Sequence, residues 1–160
     1  MIGRTVSHYK ILEKLGEGGM GVVYKAQDLK LDRVVALKFL PEKLVADAVE
    51  KERFIHEAKA ASALNHPNVT TIHEIDEHDG QLFIVMEYCP GQSVKELIEG
   101  EQLTLKKTLD IAVQICEGLT AAHKKDVVHR DIKSDNIMVT PEGRVKIMAV
   151  SYTHLTLPTN

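Results

Sequence analysis

Three things are scarce in this chain, and each scarcity closes off a class of function. Long apolar runs are missing: the longest unbroken one, Leu82 to Met86, is far short of the ~20 residues that span a bilayer, and the N-terminus carries no apolar stretch resembling a signal peptide. An excess of positive charge is missing too. Lys and Arg number 20 against 23 Asp and Glu, and a net charge of −3 leaves no electrostatic footprint for nucleic acid or an anionic membrane. Cysteine is limited to Cys89 and Cys116, far apart and in apolar settings, which suits reduced thiols in a cytoplasm better than a disulfide or a zinc site. What is present is 44% hydrophobic content over 160 residues, enough for a real core in one domain or part of one, and too much for disorder. The expectation is a soluble cytoplasmic chain.

The N-terminal third reads as strands around glycine. Tyr9 to Leu15 tends to alternate and runs into Gly16-Glu17-Gly18-Gly19-Met20-Gly21, after which Val22-Val23-Tyr24-Lys25-Ala26 is β-prone. Dinucleotide-binding folds carry the same G-x-G-x-x-G string, but they open a helix after the last Gly and place an acid about 20 residues on. Here a strand follows, and a cation, Lys38, lies 17 residues past Gly21. The glycines therefore read as a flexible flap whose backbone N–H groups can approach phosphates; a plain hairpin turn is the bland alternative.

Arg33 to Leu40 reads as a further strand, and a Lys inside it needs an anion, which a nucleotide's phosphates would supply. Asp47 to Leu64 has helical spacing, with Phe54, Ala58, Ala61 and Leu64 along one face and Glu57 on that same face. Glu57 is the expected partner of Lys38. The competing reading, an exposed Glu57 bonded to a Lys or Arg one helical turn away, is disfavoured by its place on the apolar face.

Asn65-His66-Pro67-Asn68 ends that helix, and strands are expected over Val69 to Ile75 and Gln81 to Tyr88, joined through Glu77-His78-Asp79-Gly80. His73, Glu74 and His78 lack the spacing of a zinc site. Pro90-Gly91 fits a hinge. A short helix over Val94 to Ile98 precedes a long one over Leu105 to His123. The long helix carries two apolar stripes, Leu109, Ala112, Val113, Cys116 and Ile111, Ile115, Leu119, Ala122, so burial on several sides is expected. A small hairpin is predicted from Asn136 to Val139 and Arg144 to Met148 across Thr140-Pro141-Glu142-Gly143.

Between the long helix and the hairpin, Val127 to Asn136 reads Val-Val-His-Arg-Asp-Ile-Lys-Ser-Asp-Asn, the densest run of chemically useful side chains in the chain. Phosphoryl transfer asks mainly for positioning and charge neutralisation. Asp131 suits an orienter and proton acceptor for a hydroxyl, Lys133 a neutraliser of the phosphoryl group, and Asn136 a neutral oxygen ligand for Mg²⁺. A polar turn between strands is the bland alternative.

His129, Arg130, Asp131, Lys133 and Asn136 match the protein-kinase catalytic loop H-R-D-L/I-K-x-x-N, and Val35-Ala36-Leu37-Lys38 matches V-A-I-K with Leu for Ile. With Gly-Glu-Gly-Gly-Met-Gly-Val-Val-Tyr, the chain resembles the bacterial, eukaryote-like (Hanks-type) Ser/Thr protein kinases; Ser134, where Pro is common, is a mild departure. The 19 residues between Lys38 and Glu57 resemble the family's spacing between strand Lys and helix Glu. The resemblance implies an α+β, protein-kinase-like fold: lead-in 1–8, small β-rich lobe 9–88 with one key helix, and the start of the helical large lobe, 89–148. It implies ATP and Mg²⁺ as cofactors and a protein Ser/Thr acceptor, since kinases that modify Tyr usually lack a Lys at the position of Lys133. ATP would lie against Leu15, Gly16, Glu17, Gly18, Gly19, Met20, Gly21, Val23, Ala36, Lys38, Met86, Glu87, Cys89 and Met138. Lys38, Glu57, Asp131 and Lys133 would form the catalytic set, and Asn136 would hold the metal. A membrane anchor beyond the kinase domain of a longer parent stays open.

The pattern stops at Met148. By the family's offset the metal-binding Asp-Phe-Gly should begin at residue 149, where the chain reads Ala149-Val150-Ser151. The run 149–160 continues no kinase feature and reads as the product of a broken reading frame, with a natural, divergent end as the competing view. Kinase activity is thus expected of a longer parent, and the chain as given is expected to be inactive for want of that Asp; an ATP-binding pseudokinase or regulatory module without the metal-binding Asp is the alternative function.

Overall fold

The computed structural model describes residues 1–18, 21–129 and 131–148. Gly19, Met20, Arg130 and the run 149–160, all of which carry expectations above, lie outside the described residues. The chain divides into two compact units, one of residues 1–62 and 72–88, the other of residues 63–71 and 89–160.

The first unit is a six-stranded antiparallel sheet with two helices. Its strands are β1 (Thr5–Val6), β2 (Tyr9–Gly18), β3 (Gly21–Asp28), β4 (Arg33–Phe39), β5 (Ile72–His78) and β6 (Gln81–Glu87), in the order β1-β2-β3-β4-β6-β5. Side chains alternate between the two faces. On one face Tyr9, Ile11, Ala26, Val35, Leu37, Phe39, Phe83 and Val85 form the core, with Tyr24 packed against it. Phe83 anchors this cluster, its ring 5.4 Å from Phe39 and edge-on to Tyr9 at 6.2 Å.

Turn chemistry sets the registers. Asp79 and Gly80, at φ of 52° and 75°, make the two-residue turn between β5 and β6, where left-handed backbone suits Asp and Gly. Between β3 and β4 the buried carboxylate of Asp28 accepts the Lys30 and Leu31 N–H groups at 3.0 and 3.1 Å and meets Arg33 Nε at 3.5 Å. Burial alone would raise the Asp28 pKa; the Leu31 and Lys30 amides, His8 and Arg33 outweigh it and hold the carboxyl below its usual range. The neighbouring Tyr9 hydroxyl donates to Glu74, and burial, then that carboxylate, push its pKa up. Helix α1 (Glu42–Ala46) precedes α2 (Ala48–Ser62), which buries Phe54, Ala58 and Ala61 as its spacing predicts.

The second unit holds a three-stranded sheet, β7 (Gln92–Ser93), β8 (Ile137–Val139) and β9 (Val145–Ile147), with α3 (Val94–Glu99), α4 (Leu105–His123) and a 3₁₀ turn over Ser134–Asn136. A capping box starts α3: Ser93 Oγ accepts the Glu96 N–H at 3.2 Å while the Glu96 carboxylate accepts the Ser93 N–H at 2.6 Å. Thr104 caps α4 by accepting the Lys107 N–H. The core joins Leu97 and Ile111 to Ile137, Val139 and Val145.

Two expectations need correcting. Val69 and Thr70 do not open β5, which begins at Ile72; they bond to β9 through a parallel bridge between Val69 and Ile147. The two stripes of α4 also part company. Ile111 and Ala122 are buried and Ile115 and Leu119 half-buried, whereas Leu109 and Val113 are each 57% exposed and Cys116 is exposed as well. An apolar stripe is buried only where an element covers it, and no described element covers this one.

Candidate active site

In the first unit, strand register assembles the expected nucleotide face. Val23 pairs with Lys38, Lys38 with Ile84 and Ala36 with Met86, which by alternation sets Val23, Ala36, Lys38 and Met86 on the face opposite the aromatic core. Lys38 is 8% exposed. Gly16 and Gly18 follow a register shift in β2 that falls at Leu15, and a side chain at either glycine would meet nothing within 4 Å, so this backbone strip lies open. Gly21 is under the opposite constraint: at φ 108° its Cα faces the Phe39 carbonyl so closely that a Cβ would collide with it.

Glu57 lies on α2 with its side chain 39% exposed, and its carboxylate accepts from Arg53 Nε at 3.2 Å, one turn earlier. The one-turn pairing that its place on the helix argued against is therefore made. Glu57 sits at the margin of the apolar stripe, where an Arg four residues back reaches it.

In the second unit α4 ends with Asp126 in the left-handed region, φ 57°, and Val127 N–H donating to Ala122 O at 3.1 Å, a terminus that turns the chain directly into the motif. His129 Nε2 lies 2.7 Å from Met148 O, and its Nδ1 accepts the Asp131 N–H at 3.3 Å. A carbonyl at one nitrogen and an amide donor at the other favour the Nε2–H tautomer of the ring. The Asp131 side chain is 12% exposed; its Oδ2 meets Lys133 Nζ at 3.3 Å and accepts from Asn136 Nδ2 at 2.9 Å. Asn136 Nδ2 also donates to Asp131 O at 3.0 Å, and Asn136 O accepts the Met148 N–H at 2.9 Å. Lys133 and Asn136, two of the predicted catalytic and metal-binding side chains, thus converge on the carboxylate of a third, Asp131. Lys95, paired with Asp135 at 3.2 Å, ties α3 to the same loop. Met138 is half-buried on β8, Glu87 ends β6, and Cys89 is buried.

Sequence reasoning missed the residues that carry the end of β9. Asn68 reads as a turn residue in Asn65-His66-Pro67-Asn68, and the apolar stripes of α4 leave Gln114 unmarked. Both side chains bond to Val145. The only signal available was an uncharged amide beside a stripe, which most surface helices share.

Among the described residues no helix is long and apolar enough to cross a membrane, and no group of three or more His, Cys, Asp or Glu could hold a metal ion. The protein kinase domain family matches residues 9–149. The Ser/Thr-protein kinase pkn3 of Myxococcus xanthus is 43% identical over 143 residues, covering 88% of this chain and 26% of that protein. PrkC of Bacillus subtilis is 42% identical over 149 residues, covering 92% and 23%. The chain thus spans about a quarter of the length of these relatives. The crystal structure of the Mycobacterium tuberculosis PknI kinase domain superposes with a TM-score of 0.84 at 29% identity, covering 95% of this chain and 62% of that one. A strand-rich unit with its one long helix, the catalytic-loop geometry and these matches together place the chain in the protein kinase domain family.

Proposed function

We propose that this domain transfers the γ-phosphoryl group of ATP to Ser or Thr hydroxyls of proteins, in the cytoplasm, with 9–88 as its small lobe and 89–148 as the start of its large lobe. The observation that carries the reading is the Asp131 carboxylate, held by Asn136 and Lys133 in a loop pinned through His129. So held, Asp131 orients an incoming hydroxyl and takes its proton, and Lys133 offsets negative charge on the moving phosphoryl group. The open strip at Gly16 and Gly18 fits phosphates approached by backbone N–H groups, with Lys38 on the adjoining sheet face. Glu57 is proposed to steady Lys38. For Mg²⁺ the fit is thinner: Asn136 offers its Oδ1, and Ala149 stands where the family pattern has an acid. Bound metal would neutralise phosphate charge.

Ala149 favours a second reading, a module that binds ATP without turning it over. One set of measurements separates the two. ATP binding by this chain is followed by titration, and phosphate transfer to a Ser/Thr peptide with labelled ATP and Mg²⁺. Under the first reading transfer occurs once Ala149→Asp supplies the missing acid, and Asp131→Asn lowers it by about 10²–10⁴-fold. Binding that Lys38→Met weakens, without any transfer, selects the second. An absence of both binding and transfer defeats both.

A further inference from the structure

Among the described residues β9 has a strand neighbour on one side, and its outer edge is completed in an unusual way. Pairing of Met138 with Lys146 turns Lys146 towards β8, so Val145 and Ile147 present their backbone groups outward. At Ile147 a second chain segment meets them: Ile147 N–H donates to Asn68 O at 2.8 Å, and Ile147 O accepts from Thr70 N–H at 2.9 Å and Thr70 Oγ1 at 2.7 Å. At Val145 the segment has turned away, and two side-chain amides take its place. Val145 N–H donates to Gln114 Oε1 at 2.9 Å, and Val145 O accepts from Asn68 Nδ2 at 2.9 Å. The two amides are themselves bonded, Asn68 Nδ2 to Gln114 Oε1 at 3.0 Å, and Gln114 Nε2 donates to Gly143 O at 3.0 Å in the hairpin turn.

One turn along α4, Gly118 shows how closely the helix sits on this edge. A Cβ there would come 3.1 Å from Asn68 O and 2.9 Å from Ile147 Cδ1. The strand so held ends in Met148, whose N–H bonds Asn136 O and whose carbonyl meets His129.

We propose that Asn68 and Gln114 are positioning residues for phosphoryl transfer: their amides continue at Val145 the pairing that Asn68 and Thr70 make at Ile147. They thereby fix the strand from which Met148 holds His129 and Asn136 around Asp131. The catalytic bearing of this clamp rests on the phosphoryl-transfer reading; its geometry does not. Removing Gln114's hydrogen bonds leaves Val145 N–H without its acceptor, lets β9 shift on α4, and releases the His129 ring from its single tautomer.

The test is ¹⁵N NMR of the His129 ring in the chain as it stands, well below the thermal transition. Wild type should show one neutral Nε2–H tautomer, and Gln114→Met should bring both ring nitrogens towards the values of a tautomer mixture. Gln114→Glu, which keeps the acceptor for Val145 and Asn68, should stay close to wild type. Thr104→Ala, which removes the cap of the same helix, should lower the thermal midpoint and leave His129 unchanged. A Gln114→Met protein with a lowered midpoint and unaltered His129 nitrogens overturns the proposal. If Gln114→Met does not fold, amide hydrogen exchange in the wild type decides. The amides of Val145, Ile147, Thr70 and Met148 should open together, and Val145 exchanging tenfold or more faster than a still-protected Met148 overturns the proposal. A His129 response in a chain that transfers no phosphate in any variant would retain the clamp and reject the phosphoryl-transfer reading.

Discussion

β4 carries Lys38 and β9 leads into Met148, whose carbonyl meets His129, and the two strands are held in opposite ways. β4 has β3 along one edge and β6 along the other, and its core-facing residues, Val35, Leu37 and Phe39, are at most 3% exposed. Lys38 therefore rides on a ladder of backbone bonds and an aromatic core. β9 is three residues long, paired on one side to another three-residue strand, and its outer edge depends on Asn68, Thr70 and Gln114. A position set by a ladder is robust to any one polar side chain and sensitive to loss of core volume. A position set by side-chain amides has the reverse sensitivity, so a single polar change can disturb the loop around Asp131 while most of the fold stays intact.

The largest effect expected from this contrast is on the ladder side. Phe83→Ala removes a fully buried ring at the centre of the aromatic cluster and should cost ~3–5 kcal/mol in chemical denaturation. A loss below about 1 kcal/mol would mean that the sheet does not lean on that core. On the side-chain edge, Asn68→Ala deletes both Nδ2 bonds and leaves Val145 O short of a donor in a buried setting, for an expected ~1–3 kcal/mol. Its loss of protection against amide hydrogen exchange should be confined to amides of β9 and its neighbours, and even loosening of the first unit would dissolve the contrast.

The smallest effect sharpens the comparison through pH. Asp28→Asn keeps an oxygen for the Lys30 and Leu31 amides but gives up the charge facing Arg33 and His8, so about 1 kcal/mol or less should be lost at neutral pH. Because folding lowers the Asp28 pKa, its contribution is complete above the unfolded carboxyl value of ~3.9 and fades as pH falls through the lower folded value. Thermal midpoints of wild type and variant should converge below about pH 4. A gap that stays constant down to acid would show that the charge of Asp28 plays no part.

Local rules were readable in the sequence where local partners decide the structure. The apolar period of α4 placed that helix correctly from Leu105 to His123, and Asp79-Gly80 announced its turn. The strand spans around Lys38 followed from alternation over Tyr9 to Leu15 and from β-prone residues after it. What was not readable depends on residues distant in the chain. Val69 and Thr70 have all the marks of a strand start, yet they serve β9, 77 positions away. Leu109 and Val113 look like core and are exposed, since periodicity reports an apolar face and not what covers it. Within the site, the motif announced Asp131, Lys133 and Asn136, whereas Gln114 was invisible because an amide acting as a surrogate peptide leaves no spacing behind.

The close approach of Gly21 to Phe39 has a mechanical consequence. Gly21, the first residue of β3, is seated on the residue next to Lys38, so their close approach is a pivot beside the cation. A side chain at position 21 would act as a wedge at that pivot, prying the Val22 and Phe39 backbones apart where they pair. The backbone at Gly21 and the placement of Lys38 are, in that sense, two readings of one gauge.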